Sequence, residues 1–372
     1  MRPMFDASRL AMLATALLVV SAAVAAPLVP YPTQDPATPY PTTAWSEAKQ
    51  PAIEAVIERA FTGKQPVALE RLRAVVVIHR GQLVAERYST GLTKDSRLQS
   101  WSMAKSFLQA ALGLTIADGK LNPDEPAPIP EWSAATDPRH AITIRHLAQM
   151  TDGLAFKENY ADPNADAMQM LFGGGRGDVG ASAAKTPQGA PPGTHWSYSS
   201  GSANILARVL RDKLGGRDGI RALLFGRLFA QLGITSAVPE FDASGTWIGS
   251  SYVHATARDF ARFGLLYLRG GEWESKQLLP REWVDFARTP SGPSKGAYGA
   301  LFWLNARDPA TGKAAIAESI PDDTFLARGF GGQLIAIIPS RDAIIVMLNA
   351  AYTGENKPIV DLAAGIIAAL PR

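Results

Sequence analysis

Two β-hairpin patterns stand near opposite ends of this chain, and together they constrain its fold more than any other feature. The first joins residues 74–78 to 83–88 across a break at His79-Arg80-Gly81-Gln82. The second joins residues 334–338 to 343–348 across Pro339-Ser340-Arg341-Asp342. Between them helical patterns dominate: residues 203–214 stopped by Gly215-Gly216, 220–232 stopped by Gly233, and 256–268 stopped by Gly270-Gly271. A last helix is expected over residues 358–370. Strands from both chain ends with helices between them predict an α/β (α+β) protein, with one antiparallel sheet flanked by helices and an inserted, mostly helical region. The expected globular unit spans residues 46–372, its α/β part lying at about 46–115 and 245–372 and its helical region at about 116–244.

The chain has 372 residues, of which 47% are hydrophobic and 19% charged, enough apolar material for a large core. With no cysteine, thiol nucleophiles, thiolate metal sites and disulfides are excluded. A net charge of only +3 gives no basic patch for nucleic acid. Arg2 and Arg9, an apolar run over residues 10–20 and the small residues Ser21-Ala22-Ala23-Val24-Ala25 read as a signal peptide over residues 1–25. Export to a periplasm or beyond is therefore expected, with no stable membrane insertion after cleavage. An uncleaved anchor is the alternative, although the run is short for a bilayer span. Residues 26–45 carry Pro27, Pro30, Pro32, Pro36, Pro39 and Pro41, and read as an extended surface leader serving as a tether.

Ser102-Met103-Ala104-Lys105 follows the first hairpin and opens a stretch, residues 107–116, that is apolar nearly all round. In this S-x-x-K spacing the Ser and Lys share a helix face, so the amine reaches the hydroxyl. A helix apolar on every side is buried. Burial and the positive end of the helix dipole both disfavour an ammonium at Lys105 and favour a base. Ser46/Lys49 and Ser182/Lys185 match the same spacing, and a surface helix with a Ser cap and a solvated Lys also fits the tetrad.

Tyr198-Ser199-Ser200 lies at a loop-to-helix junction. Beside Lys105, its phenol takes the proton from Ser102 and returns it to a leaving group; a turn aromatic packed on the core is the other reading. Phe330-Gly331-Gly332-Gln333 leads into the strand over residues 334–338. Its glycines let a substrate lie along the strand edge, and the Gln333 N–H supplies an oxyanion donor beside that of Ser102; a plain β-turn fits as well.

In this order and on these elements, the three segments resemble the serine hydrolase family that includes class C β-lactamases, D-amino-acid peptidases, carboxylesterases and 6-aminohexanoate-dimer hydrolases. The likeness covers most of the chain after residue 25, including residues 142–154 and 252–271. It implies a β-lactamase/transpeptidase-like fold, with Ser102 as nucleophile, Lys105 as its partner, Tyr198 as general base, and the N–H groups of Ser102 and Gln333 as oxyanion hole. Two positions depart from the lactamases, which carry Asn in place of Ser200 and Lys-Thr-Gly in place of Phe330-Gly331-Gly332. The missing ammonium would attract a carboxylate. Phe330 instead implies a neutral or apolar substrate group at that wall, as in the esterase branch, while Arg328 either restores positive charge or serves the surface. The stretches 101–107 and 153–163 look most like 6-aminohexanoate-dimer hydrolases, in which a Tyr matching Tyr160 lies over the site. The resemblance thus assigns Trp101, Tyr160, Ser200, Phe330, Gly331 and Gly332 to substrate binding.

The expected activity is hydrolysis of a small-molecule ester or linear amide through an acyl-enzyme on Ser102. A β-lactamase or D-amino-acid peptidase, and a penicillin-binding-like sensor without turnover, are the alternatives. A G-x-S-x-G match at Gly292-Pro293-Ser294-Lys295-Gly296 lacks the strand before and helix after that a nucleophile elbow needs, and is assigned to a loop. His79, His140, His146, His195 and His254 form no H-E-x-x-H pattern, so neither a metal nor another cofactor is expected. His195 lies close to Tyr198 in sequence, as a pocket residue or an ordinary loop histidine. The oligomeric state is not legible.

Overall fold

The run Ala74-Val75-Val76-Val77-Ile78 shows no polar alternation because the strand it forms is covered on both faces. In the computed structural model, which describes residues 27–350 and 356–371, Val75 and Val77 pack with Ile53, Ile57, Ile345 and Ile366, whereas Val76 and Ile78 pack with Phe107, Phe260 and Phe263. Successive strand side chains point to opposite faces, so two covered faces require an unbroken apolar run. The expected signal peptide falls outside the described residues.

The strands are β1 (Leu72–His79), β2 (Gln82–Tyr88), β3 (Trp303–Leu304), β4 (Phe325–Gly329), β5 (Gln333–Ile338) and β6 (Ala343–Asn349). They form a six-stranded antiparallel sheet in the order β2-β1-β6-β5-β4-β3, so the two chain ends meet where β1 pairs with β6. The first hairpin turns through Arg80 and Gly81, whose φ of 52° and 76° fit a two-residue turn with both central residues left-handed. One face is covered by α1 (Pro51–Phe61) and the last helix, Lys357–Ala369, and the other by the helix Ala257–Leu268.

Between the hairpins, α2 (Ala104–Ala117) is buried from Ala104 to Thr115, as a helix apolar on all sides must be. Its Phe107 stacks on Phe263 at 3.7 Å, and Gly113 meets the Trp283 ring so closely that an added Cβ would lie 2.4 Å from it. The helix α3 (Ser200–Leu214) starts where Ser199 caps Ser202 N–H at 3.0 Å and ends at Gly215 with φ 78°. The helix expected over 220–232 starts earlier, at Arg217, and is π-helical over Ala222–Phe229, a widening that the apolar spacing does not announce.

Residues 27–45 of the proline-rich leader hold no helix, turn at 36–38 and 41–43, and are strapped down on the body of the protein rather than serving as a tether. Aromatic residues between its prolines make the anchors. The Tyr31 hydroxyl donates to Asp285 at 2.7 Å under the Arg288 guanidinium, Tyr40 packs on Trp273 at 4.8 Å, and Trp45 is buried.

Candidate active site

Ser102 stands in a single 3-10 turn, Trp101–Met103, that runs directly into α2. The residue before it, Trp101, has φ 45°, a left-handed conformation that costs a bulky side chain about 1–3 kcal/mol. Its neighbours hold it there. Ser100 N donates to the Val253 carbonyl at 2.9 Å and its hydroxyl accepts from Val253 N at 3.0 Å, while the Trp101 ring packs on Tyr252 and Phe330. On the other side β4 presses close at Gly329, where a Cβ would come within 2.3 Å of the Ser100 carbonyl. Glycine is required by that approach.

Lys105 is the second residue of α2, one turn on from Ser102, and is 1% exposed. Its Nζ is within reach of three oxygens: Ser102 Oγ at 3.1 Å, Ser200 Oγ at 3.1 Å and the Ser250 carbonyl at 2.9 Å. The Tyr198 ring centre is 4.8 Å from the same nitrogen, and that ring is stacked on Trp303 at 5.1 Å. Of the three S-x-x-K tetrads only this one has a buried lysine, since Lys49 and Lys185 are both exposed.

Sequence reasoning missed Glu158. Its carboxylate accepts from Ser200 N at 2.7 Å, from the Ser200 hydroxyl at 2.6 Å and from the Tyr160 hydroxyl at 2.8 Å. Burial, reinforced by the Glu158 charge, pushes the Tyr160 phenol well above the ordinary tyrosine range, so it acts here as a donor. A serine hydroxyl has one proton to give. Because Ser200 gives it to Glu158, its oxygen faces Lys105 as an acceptor. The only signal was local: Glu158 lies in the stretch already singled out around Tyr160, two residues before it.

Trp101, Ser102, Glu158, Tyr160, Tyr198 and Phe330 line one cleft of about 650 Å³. Ser200 lies beneath it, fully buried beside Lys105. Gly331, Gly332 and Gln333 do not line it. The two glycines close the β4–β5 turn with φ 77° and 88°, and the Gln333 side-chain amide is turned away onto the Asn349 backbone. The glycines supply the turn conformation rather than a wall, and Gln333 pairs with Gly329 in the sheet, outside the lining of the cleft. His195 is exposed and lines no part of the cleft. Ser294 of the G-x-S-x-G match sits in a 3-10 turn, its hydroxyl within reach of the Ser291 and Tyr298 carbonyls and accepting from Tyr298 N, a purely structural engagement.

Asp152 ties the loop before this site to α3, accepting from Leu154 N at 2.9 Å and from the Ser202 hydroxyl at 2.7 Å. Its burial pushes the carboxyl up to about 6, the hydrogen bonds opposing only in part. Between pH 4 and 6 the folded chain keeps a proton that the unfolded chain has lost, so stability falls as pH rises through that window, by about 3 kcal/mol in all. Asp152→Asn keeps an acceptor for Leu154 N, turns an NH2 toward the Ser202 hydroxyl, which then accepts, and removes the titration. Thermal unfolding followed from pH 4 to 7 is expected to show the variant gaining on the parent up to pH 6. Parallel curves would refute this.

A six-stranded antiparallel sheet closed by both chain ends, a helical insertion and an S-x-x-K turn at their junction define the β-lactamase/transpeptidase-like fold class. The chain belongs to the Beta-lactamase family, whose model matches residues 70–368, and members of that family are serine hydrolases. It is similar to a 6-aminohexanoate-dimer hydrolase from Paenarthrobacter ureafaciens, at 22% identity over 90% of this chain and 85% of that protein. Among solved structures it resembles a candidate 6-aminohexanoate-dimer hydrolase from Bacillus anthracis, with a TM-score of 0.70 and 22% identity over 89% and 88% of the two chains. It also resembles EstCE1, a hydrolase with promiscuous acyltransferase activity, with a TM-score of 0.65 and 15% identity over 86% and 98%.

Proposed function

We propose that this protein hydrolyses an ester or linear amide through an acyl-enzyme on Ser102. The observation that carries the reading is the buried Lys105 amine, 3.1 Å from Ser102 Oγ and held by two further acceptors. Lys105 donates to the Ser250 carbonyl and to Ser200 Oγ, neither of which has a proton to return, and its remaining direction meets the Ser102 hydroxyl. Ser102 Oγ attacks the carbonyl carbon as its proton passes to the Lys105–Tyr198 pair, with Tyr198 as the general base lining the cleft. The Ser102 N–H receives the developing oxyanion. The bond to the alcohol or amine breaks as Tyr198 returns the proton to that leaving group, and water then releases the acid. Trp101, Tyr160 and Phe330 form an aromatic wall around the reacting bond, Phe330 lying 5.5 Å from Trp101 and 5.9 Å from Tyr160. The names carried by the similar proteins, a linear-amide hydrolase among them, point the same way.

Intact-mass measurement after brief exposure to p-nitrophenyl esters, linear amides and β-lactams tests the reading. An acyl adduct on Ser102 with an ester or linear amide, turned over faster than the lactams, is expected. A lactam turned over fastest, or no adduct with any of them, would count against it.

Glu158 enters this scheme as a positioning residue, since it fixes which way the Ser200 proton points. In Glu158→Gln the amide faces Ser200 Oγ as a donor and turns that proton toward Lys105, drawing the lone pair off Ser102. A fall in kcat of about 10- to 100-fold with little change in KM is expected. The effect should vanish in a Ser200→Ala background; if it persists there, Glu158 acts by another route.

A further inference from the structure

We propose that Trp303 is a positioning residue for the general base: its indole, backed by the Arg328 guanidinium, fixes where the Tyr198 phenol oxygen stands against Ser102 and Lys105. The proposal rests on the acyl-enzyme reading above. The neighbours of Tyr198 in the site are tied by hydrogen bonds, Ser102 to Lys105, Lys105 to Ser200 and the Ser250 carbonyl, and Ser200 and Tyr160 to Glu158. Among the described residues the Tyr198 hydroxyl makes none. A phenol oxygen lies on the long axis of its ring, so ring flips leave it in place while a swing of the whole ring carries it away. About 1 Å of misplacement at a reacting atom costs on the order of 100-fold in rate. Packing is what prevents the swing.

Trp303 is the hub of that packing. Its ring is stacked on Tyr198 at 5.1 Å with 29° between the planes, and it meets the rings of Tyr298 at 5.3 Å and Trp196 at 5.8 Å edge to face. Tyr298 also meets Tyr198 edge to face at 6.0 Å, which closes a triangle of rings. The sheet sets the place of the indole. Trp303 pairs with Leu326 in β4 and is bridged to Tyr298. Arg328 stands two residues beyond Leu326, on the same face of β4, at the diagonal position from which a long side chain reaches its neighbour. Its guanidinium lies 5.2 Å from the centre of the indole and, among the described residues, has neither an ion pair nor a hydrogen bond. A cation over an indole face is attracted by the electrons of the ring, so the stack is what engages Arg328. The run Lys105, Tyr198, Trp303, Arg328 therefore alternates cation and ring from the partner of the nucleophile to the sheet.

Trp303 also lines the cleft, so a role as a wall for substrate competes with this one. A wall acts through KM, whereas a positioning residue acts through kcat and through Tyr198. Trp303→Leu is expected to lower kcat for ethyl butanoate about 10- to 100-fold with KM within about 3-fold of the parent. The fall should be smaller for p-nitrophenyl butanoate, whose phenolate leaves without the proton that Tyr198 returns. Trp303→Phe, which keeps a ring against Tyr198, should restore most of the rate. In a Tyr198→Phe background neither substitution should lower kcat further. Unchanged kcat in Trp303→Leu, a loss carried by KM alone, or a loss of the same size in the Tyr198→Phe background overturns the proposal while the acyl-enzyme reading stands. If thermal unfolding shows that Trp303→Leu does not fold, Arg328→Met takes its place, the unbacked indole lowering kcat about 3- to 10-fold with the same dependence on Tyr198. Parent-like kcat in Tyr198→Phe alone would instead remove Tyr198 as the base, and absence of any Ser102 adduct would remove the acyl-enzyme reading; the proposal falls with either.

Discussion

Alanine at position 102 is expected to lower ester turnover by about four to six orders of magnitude, because a hydroxyl that forms the covalent intermediate has no substitute within the site. The fold should survive. Ser102 Oγ is bonded to Lys105, which keeps Ser200 Oγ and the Ser250 carbonyl after the substitution, so no buried polar group is orphaned. Circular dichroism and thermal unfolding close to the parent, together with loss of the acyl adduct in the mass spectrum, would complete the result. Turnover unchanged in Ser102→Ala would place the nucleophile elsewhere and end the proposal.

What the sequence made legible, and what it hid, divides by range. The hairpins were readable because strand and turn chemistry are local: a left-handed Arg80-Gly81 turn between apolar runs needs no distant partner. Ser102 and Lys105 were readable as a pair because three residues on a helix fix their shared face, and the apolar continuation foretold the burial of Lys105. Glu158 was not readable. Its importance comes from Ser200, 42 positions away, and nothing in its own neighbourhood says that a carboxylate will orient that hydroxyl. The strain at Trp101 was hidden for a related reason, since the packing of Gly329 and Tyr252 that holds it comes from distant segments. The leader misled in the opposite sense. Its prolines say nothing of what holds it, and Tyr31, Tyr40 and Trp45 decide whether such a segment floats or is fastened.

Lys105→Ala is the second large effect, a fall in kcat of about three to five orders of magnitude. The size follows from geometry rather than from charge alone. Two acceptors hold the amine so that its third direction meets Ser102, with the Tyr198 ring centre 4.8 Å from the same nitrogen. Truncation also leaves the Ser250 carbonyl without its donor, for about 1–3 kcal/mol of lost stability, so Lys105→Met, which fills the space, serves as a second variant if the alanine form unfolds. The vacated volume in Lys105→Ala should admit a small primary amine, and ethylamine is expected to restore part of the turnover with a dependence on its unprotonated fraction. Ethylamine should restore nothing to Ser102→Ala. Since the two residues act as a unit, the double variant should be no slower than Ser102→Ala by itself. Near-parent turnover in both Lys105 variants would show that Ser102 is activated without the amine, and the proton route through Lys105 and Tyr198 would have to be abandoned.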